Sequence, residues 1–213
     1  MALGITFSPF PIIAVILVMS TPDGRRAGPL FAAGWLVGLG ALTALLLMIT
    51  GPSDDSDSSR NVVDMARVVL GIACLVGAGR QWQRRPREGE ETATPAWMAR
   101  LDGISPRGAL VMGAALGGLN PKNIAICAAA TSTIVLLMQD DDGTWGPALV
   151  FVILASLSVI GPVLAKLALG ERADPALERA KGFMMRHAAV ITMVILVIIG
   201  ATILGDGISG LAG

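Results

Sequence analysis

The chain is short of charge. Only 15% of its 213 residues are Asp, Glu, Lys or Arg, where a soluble domain carries about 25%. Too few remain to coat a water-facing shell. Cysteine and histidine are scarce as well. Cys74 and Cys127 both lie in apolar runs and are too few for a disulfide framework or a structural zinc site. His187 stands alone, and no pair of histidines or carboxylates has ligand spacing, so a metal carrier is disfavoured. There is no phosphate-binding loop and no GxSxG, so a motor ATPase or a serine hydrolase lacks its parts. No cofactor is expected, and no enzymatic activity. Sixteen Lys and Arg balance sixteen Asp and Glu, which gives nucleic acid no basic surface to bind. What is plentiful is apolar: 54% of residues, with a mean hydropathy of +0.70. That composition leaves an integral membrane protein.

A spanning helix needs roughly 20 mostly apolar residues. Six stretches qualify: 4–20, 28–51, 61–80, 106–138, 145–165 and 187–205. The first has no basic residue before it and no small-x-small site after it, so it reads as a retained helix rather than a signal peptide. Thirteen basic residues fall in the loops of one side, including Arg25, Arg26, Arg84, Arg85, Arg87, Lys166 and Arg172. The other side offers only Arg60 among Asp54, Asp55 and Asp57, and no basic residue near Asp140 to Asp142. The positive-inside rule then sets both termini outside and the 81–105 loop in the cytoplasm of a multi-pass plasma-membrane protein. Within that loop Thr94-Pro95 reads as the capped start of a surface helix. Asp174-Pro175 reads as a second one, leading into the sixth span.

The first and fourth spans resemble each other. At an offset of 112 residues, Ser8-Pro9-x-Pro11-Ile12 lies over Asn120-Pro121-x-Asn123-Ile124, and Gly28-Pro29 resembles Gly146-Pro147. The expected fold is therefore all-α, with six transmembrane helices forming two inverted three-helix repeats. These comprise residues 1–80 and 106–213, joined by the cytoplasmic linker 81–105. Many secondary transporters are built this way, with the substrate site where the repeats meet.

Ser8-Pro9 and Asn120-Pro121 each pair a helix N-cap with proline at the first helical position. Asn120 follows about 14 residues of the fourth span, or roughly 20 Å of rise, which places the break within the bilayer. Such a break survives only against protein or a wet cavity, so helices one and four are expected to be proline-broken. The half-helices starting at Pro9 and Pro121 would turn free amides and a positive dipole end inward. With Lys122 beside the second, the arrangement suits a phosphate, sulfate or carboxylate. The bland alternative is a packing kink with Lys122 snorkelling to an interface. Asp64 and Arg67, three apart on one face of the third span, can pair. Asp64 would then carry a proton or hold Arg67 until an anionic group replaces it; alternatively both snorkel at the outer end. Gly34-x-x-x-Gly38 and Gly113-x-x-x-Gly117 read as close-packing motifs.

Several of these residues carry a family resemblance. Ser8-Pro9-Phe10-Pro11-Ile12-Ile13-Ala14-Val15-Ile16-Leu17, then Arg25-Arg26-Ala27-Gly28 and Phe31-x-x-Gly34-Trp35-x-x-Gly38, look like the GAP family. These are the glycopeptidolipid- and sulfolipid-addressing proteins of mycobacteria and related actinobacteria. Asn120-Pro121-Lys122 is similar to an element of the wider lysine exporter (LysE) superfamily. The resemblance implies export of a cell-envelope glycolipid or its precursor, and by position it implicates Ser8, Pro9, Pro11, Asn120, Pro121, Lys122 and Asn123.

The leading expectation is a transporter of an anionic or glycosylated lipid, proton-driven through Asp64, with Arg67 and the two proline motifs at the substrate. Rival readings are an exporter of a small polar solute such as an amino acid, and a non-transporting scaffold that recruits envelope-lipid enzymes through the 81–105 loop. Expected partners are membrane lipids, a second copy of the chain and envelope-lipid biosynthetic proteins, but no nucleic acid.

Overall fold

A computed structural model describes residues 2–6, 8–50, 57–83, 103–137 and 142–212. Every regular element among them is helical. In order they are α1 (Ala2–Thr6), α2 (Pro9–Ser20), α3 (Gly24–Thr50), α4 (Asp57–Gln83), α5 (Pro106–Gly118), α6 (Pro121–Leu137), α7 (Trp145–Leu169) and α8 (Asp174–Ala212), with 3-10 turns at Asp142–Thr144 and Gly170–Ala173. The surface helix expected at Thr94-Pro95, most of the 81–105 linker, and Asp54, Asp55, Asp140 and Asp141 lie outside the described residues.

Both proline motifs break their helices, as their chemistry requires. Pro9 and Pro121 each open a new helix, separating α1 from α2 and α5 from α6. Ser105 caps α5, its hydroxyl accepting from the Gly108 amide at 3.1 Å, with Pro106 at the first position. Two expectations need correction. Gly28-Pro29 does not start a helix, because α3 already begins at Gly24 and carries Pro29 within it. Asp174-Pro175 does not open a separate surface helix either. It starts a single 39-residue helix that continues to Ala212. Proline is tolerated in a first turn, and no second proline follows within the helix.

The large interfaces all join the first half of the chain to the second. The α3–α5 and α4–α8 interfaces are the most extensive, with smaller ones between α3 and α7, α1 and α7, α3 and α6, and α2 and α8. Glycines set both main interfaces. A Cβ on Gly34 would lie 2.0 Å from the Leu110 carbonyl oxygen, and one on Gly113 would lie 2.1 Å from that of Phe31. Gly38 and Gly117 meet Ala114 and Trp35 in the same way, so the two GxxxG motifs face each other across parallel helices. In the α4–α8 interface Gly71 meets Leu204, Gly200 meets Cys74, and Gly207 meets Asp64 and Val68, an antiparallel register.

The core collects Ile12, Val15, Ile16 and Val18 of α2, Phe31, Trp35 and Leu39 of α3, Ile126 and Cys127 of α6, and Ile195, Ile199 and Ile203 of α8. Buried hydroxyls return to their own helices: Thr43 donates to Leu39 O at 2.8 Å, Thr131 to Cys127 O at 2.9 Å and Ser156 to Val152 O at 2.7 Å. The outside is apolar too. Leu149, Val150, Ile153, Leu154 and Leu157 of α7 are exposed, as are Val37, Leu45, Met48 and Ile49 of α3. Among the described residues two stretches, Gly24–Ile49 and Trp145–Ala212, are long and apolar enough to cross a membrane. Water does not favour so much contiguous apolar surface; lipid does.

Candidate functional site

At the first break Pro9 has no N–H to offer Ile5 O, the acceptor one helical turn back. The Ser8 amide takes that oxygen instead, at 3.0 Å, in a tighter turn. The exchange leaves Gly4 O without its usual donor. Ser8 is buried in extended conformation, and its hydroxyl makes no cap hydrogen bond. The second break repeats the problem. Pro121 has no N–H for Gly117 O, while the Leu119 amide donates back to Ala115 O at 2.8 Å. Asn120 caps α6: its Oδ1 accepts from the Lys122 amide at 3.0 Å and its carbonyl from the Ile124 amide at 3.0 Å.

The orphaned carbonyls are served by side chains of α6. Asn123 is fully buried, and its Nδ2 donates to Leu116 O at 3.1 Å and to Gly117 O at 3.0 Å. Lys122 reaches across the molecule, its Nζ donating to Gly4 O at 2.8 Å. Gly4 and Leu116 stand at equivalent places, since the same 112-residue offset relates them. One half-helix therefore closes both breaks. It must, because Phe10 and Pro11, which occupy the matching positions on α2, carry no donor side chain.

Asn120, Pro121, Lys122 and Asn123 thus gather at one break and reach the other through Gly4. Ser8, Pro9 and Pro11 line the first break, all three buried. Lys122, expected as a positive charge beside its own cap, also reaches the other break. It neutralises the carbonyl end of α1, where a helix dipole favours a cation, and of its three donors one is engaged there. Asn123 Oδ1 is buried and has no hydrogen-bond partner among the described residues.

Asp64 and Arg67 belong to a different place. Their carboxylate and guanidinium pair at 2.7 Å on α4. Asp64 is only 7% exposed, wedged against α8 where a Cβ on Gly210 would lie 2.2 Å from its Oδ2. Sequence reasoning missed Gly4 and Gly210, which act through a carbonyl and through the lack of a side chain. The only signal for Gly4 was its register with Leu116. His187 stacks on Phe183, ring centroids 4.3 Å apart, at an exposed place on α8. No cluster of three metal-ligating side chains occurs among the described residues.

No match was found among curated proteins or among solved structures. Residues 1–209 match the SfLAP family, described as Sap, sulfolipid-1-addressing protein. Taken with the apolar exterior and two helices long enough to cross a bilayer, that match across nearly the whole length makes this chain a membrane-associated member of the sulfolipid-1-addressing protein family.

Proposed function

We propose that the chain crosses the plasma membrane six times, as two three-helix units of opposite direction, and exports an anionic glycolipid or its precursor. The observation that carries this reading is the meeting of two helix breaks through Lys122 and Gly4, in a chain whose family is named for a sulfolipid. Broken helices whose ends converge inside a bilayer are where secondary transporters hold charged groups. The helix directions support the topology. With both termini outside, the second and fourth spans must run the same way and the third and sixth must oppose each other. Parallel α3 and α5 and antiparallel α4 and α8 have that relationship. Burial supports the repeat: Pro11, Ile13, Ala14, Val15, Val18 and Met19 of α2 are buried, and so are Asn123, Ala125, Ile126, Cys127, Ala130 and Thr131 at the matching places of α6.

In this reading the sulfo group, or another anionic head, takes the free donors of Lys122 at the start of α6, where the dipole also favours an anion. The Gly4 carbonyl holds the ammonium in place until the head arrives. The chain is a carrier rather than a catalyst, and Asp64 on α4 couples it to the proton gradient. Lys122→Gln tests the role of the charge, since an amide can still donate to Gly4 O. Export of an anionic glycolipid to the outer leaflet, followed in reconstituted vesicles, falls at least tenfold while the protein inserts normally. Undiminished export by Lys122→Gln would remove Lys122 from the substrate.

A further inference from the structure

The two proline-started half-helices, α2 and α6, are buried alike except along one stripe. On α2, Pro9, Ile12 and Ile16 are buried; their counterparts on α6 are Pro121 and Ile124, exposed, and Ala128, partly exposed. Ile12 is 8% exposed and Ile124 is 40% exposed. Positions spaced by three and four lie on one helical face, so the difference is confined to a single side. Packing shows the same asymmetry. Helix α2 packs on α8, whereas α6 makes no comparable contact with α4, which holds α8's place in the other half of the chain.

We infer that α4 and α8 rock as a pair between these two faces, and that the structure is the state in which α8 covers α2 and the α6 stripe stands open. The inference rests on the inverted-repeat reading above, which makes α4 the counterpart of α8. Three observations carry it. The open stripe on α6 is the image of a covered one, so the chain already contains a helix that fits its like. The α4–α8 interface is extensive and tied by backbone contacts at Gly71, Gly200 and Gly207, so the two helices move together. On α4, Met65, Val69, Ile72 and Val76 form an apolar stripe that is exposed among the described residues. Their spacing again selects one face. Laying that stripe on Pro121, Ile124 and Ala128 while α8 withdraws from Pro9, Ile12 and Ile16 would exchange the two sides. Packed helix faces favour two discrete arrangements over a continuum.

In this state the opening lies beside α6, whose chain leads towards Asp142. The closed side lies beside α2, which leads to Arg25 and Arg26. In the six-span reading the exposed stripe therefore lies in the half of the membrane away from Arg25 and Arg26.

The test uses the full chain in membrane vesicles, with Cys74 and Cys127 replaced by alanine. A single cysteine is then introduced as Ile12→Cys or Ile124→Cys and labelled with a small water-soluble maleimide. Labelling of Ile124→Cys at least tenfold faster than Ile12→Cys is expected. Equal rates, or no labelling of Ile124→Cys, would mean that the α6 stripe is either no more open or simply coated by lipid, and would overturn the inference. A second variant, Ile72→Cys with Ile124→Cys, is oxidised with copper-phenanthroline. A disulfide that forms during glycolipid export and arrests it supports the exchange; a chain that exports but never cross-links overturns it and leaves the transport reading intact. Cross-linking in a chain that exports no lipid would support the rocking and count against the transport reading alone.

Discussion

Lys122 Nζ and Gly4 O lie 2.8 Å apart, although 118 residues separate them in sequence. The bond joins the start of one half-helix to the end of another. It exists because Pro9 displaced the Ser8 amide from Gly4 to Ile5, leaving a carbonyl in need of a donor. A local substitution near one end of the chain therefore determines what a lysine near the middle does.

Removing the lysine side chain leaves that part-buried carbonyl without its donor. A buried acceptor without a partner costs about 1–3 kcal/mol. Lys122→Met is expected to lower the thermal midpoint in detergent, and Lys122→Gln to lower it less. Identical midpoints for Lys122→Met and the parent protein would show that the bond contributes nothing to stability.

Asn123 supports two carbonyls with one amide nitrogen. Asn123→Leu fits the apolar surroundings but orphans Leu116 O and Gly117 O together, so a loss of about 2–5 kcal/mol is expected. Asn123→Asp should be worse, because it sets an acceptor against two acceptors. Thermal unfolding of the three proteins should rank them parent, Leu, Asp; a reversed order for the two variants would contradict the hydrogen-bond assignment.

The glycines separate into those that touch backbone and those that do not. Gly34→Ala drives a methyl into the Leu110 carbonyl and must part α3 from α5, while a Cβ on Gly40 meets nothing within 4 Å. Overpacking costs about 1–3 kcal/mol, whereas Gly→Ala in an open helical position gains about 0.5–1 kcal/mol. Gly34→Ala should unfold earlier than the parent and Gly40→Ala no earlier. Equal destabilisation by both would deny the close approach of the two helices.

Gly210 provides the space for the Asp64 carboxylate. Gly210→Ala pushes that carboxylate out and breaks its pairing with Arg67, so it is expected to mimic Asp64→Asn. If Asp64 carries the proton, both variants should export glycolipid at a rate independent of an imposed pH gradient. A gradient response at parental strength in Asp64→Asn would assign the coupling to another group.

Much of this was legible in the sequence, for identifiable reasons. Proline removes a donor, but Pro29 and Pro162 stay inside α3 and α7; the breaks at Pro9 and Pro121 could be read because a capping residue, Ser8 or Asn120, stands before each. The GxxxG motifs named the surfaces on which α3 and α5 meet because only glycine allows carbonyls so close. The partner of Lys122 was not legible, since a backbone carbonyl has no letter in the sequence and its need for a donor follows from a break five residues away. Gly210 was silent for the same kind of reason: its role is to leave room for a side chain on another helix. The extent of α8 was misread because Asp174-Pro175 is a good start signal and says nothing about where the helix stops.

At 1.5 Å per residue, the 39 residues of α8 make a rod about 58 Å long, while the hydrocarbon layer is only about 30 Å thick. The charged beginning of the helix, with Glu178, Arg179, Lys181 and Arg186, is therefore rigidly continuous with Ile195, Ile199 and Ile203 in the core. A tilt of about 10° about a point midway along such a rod carries each tip roughly 5 Å sideways. If α8 crosses the membrane as proposed, a change of posture at its buried end is carried to the charged end outside the hydrocarbon layer.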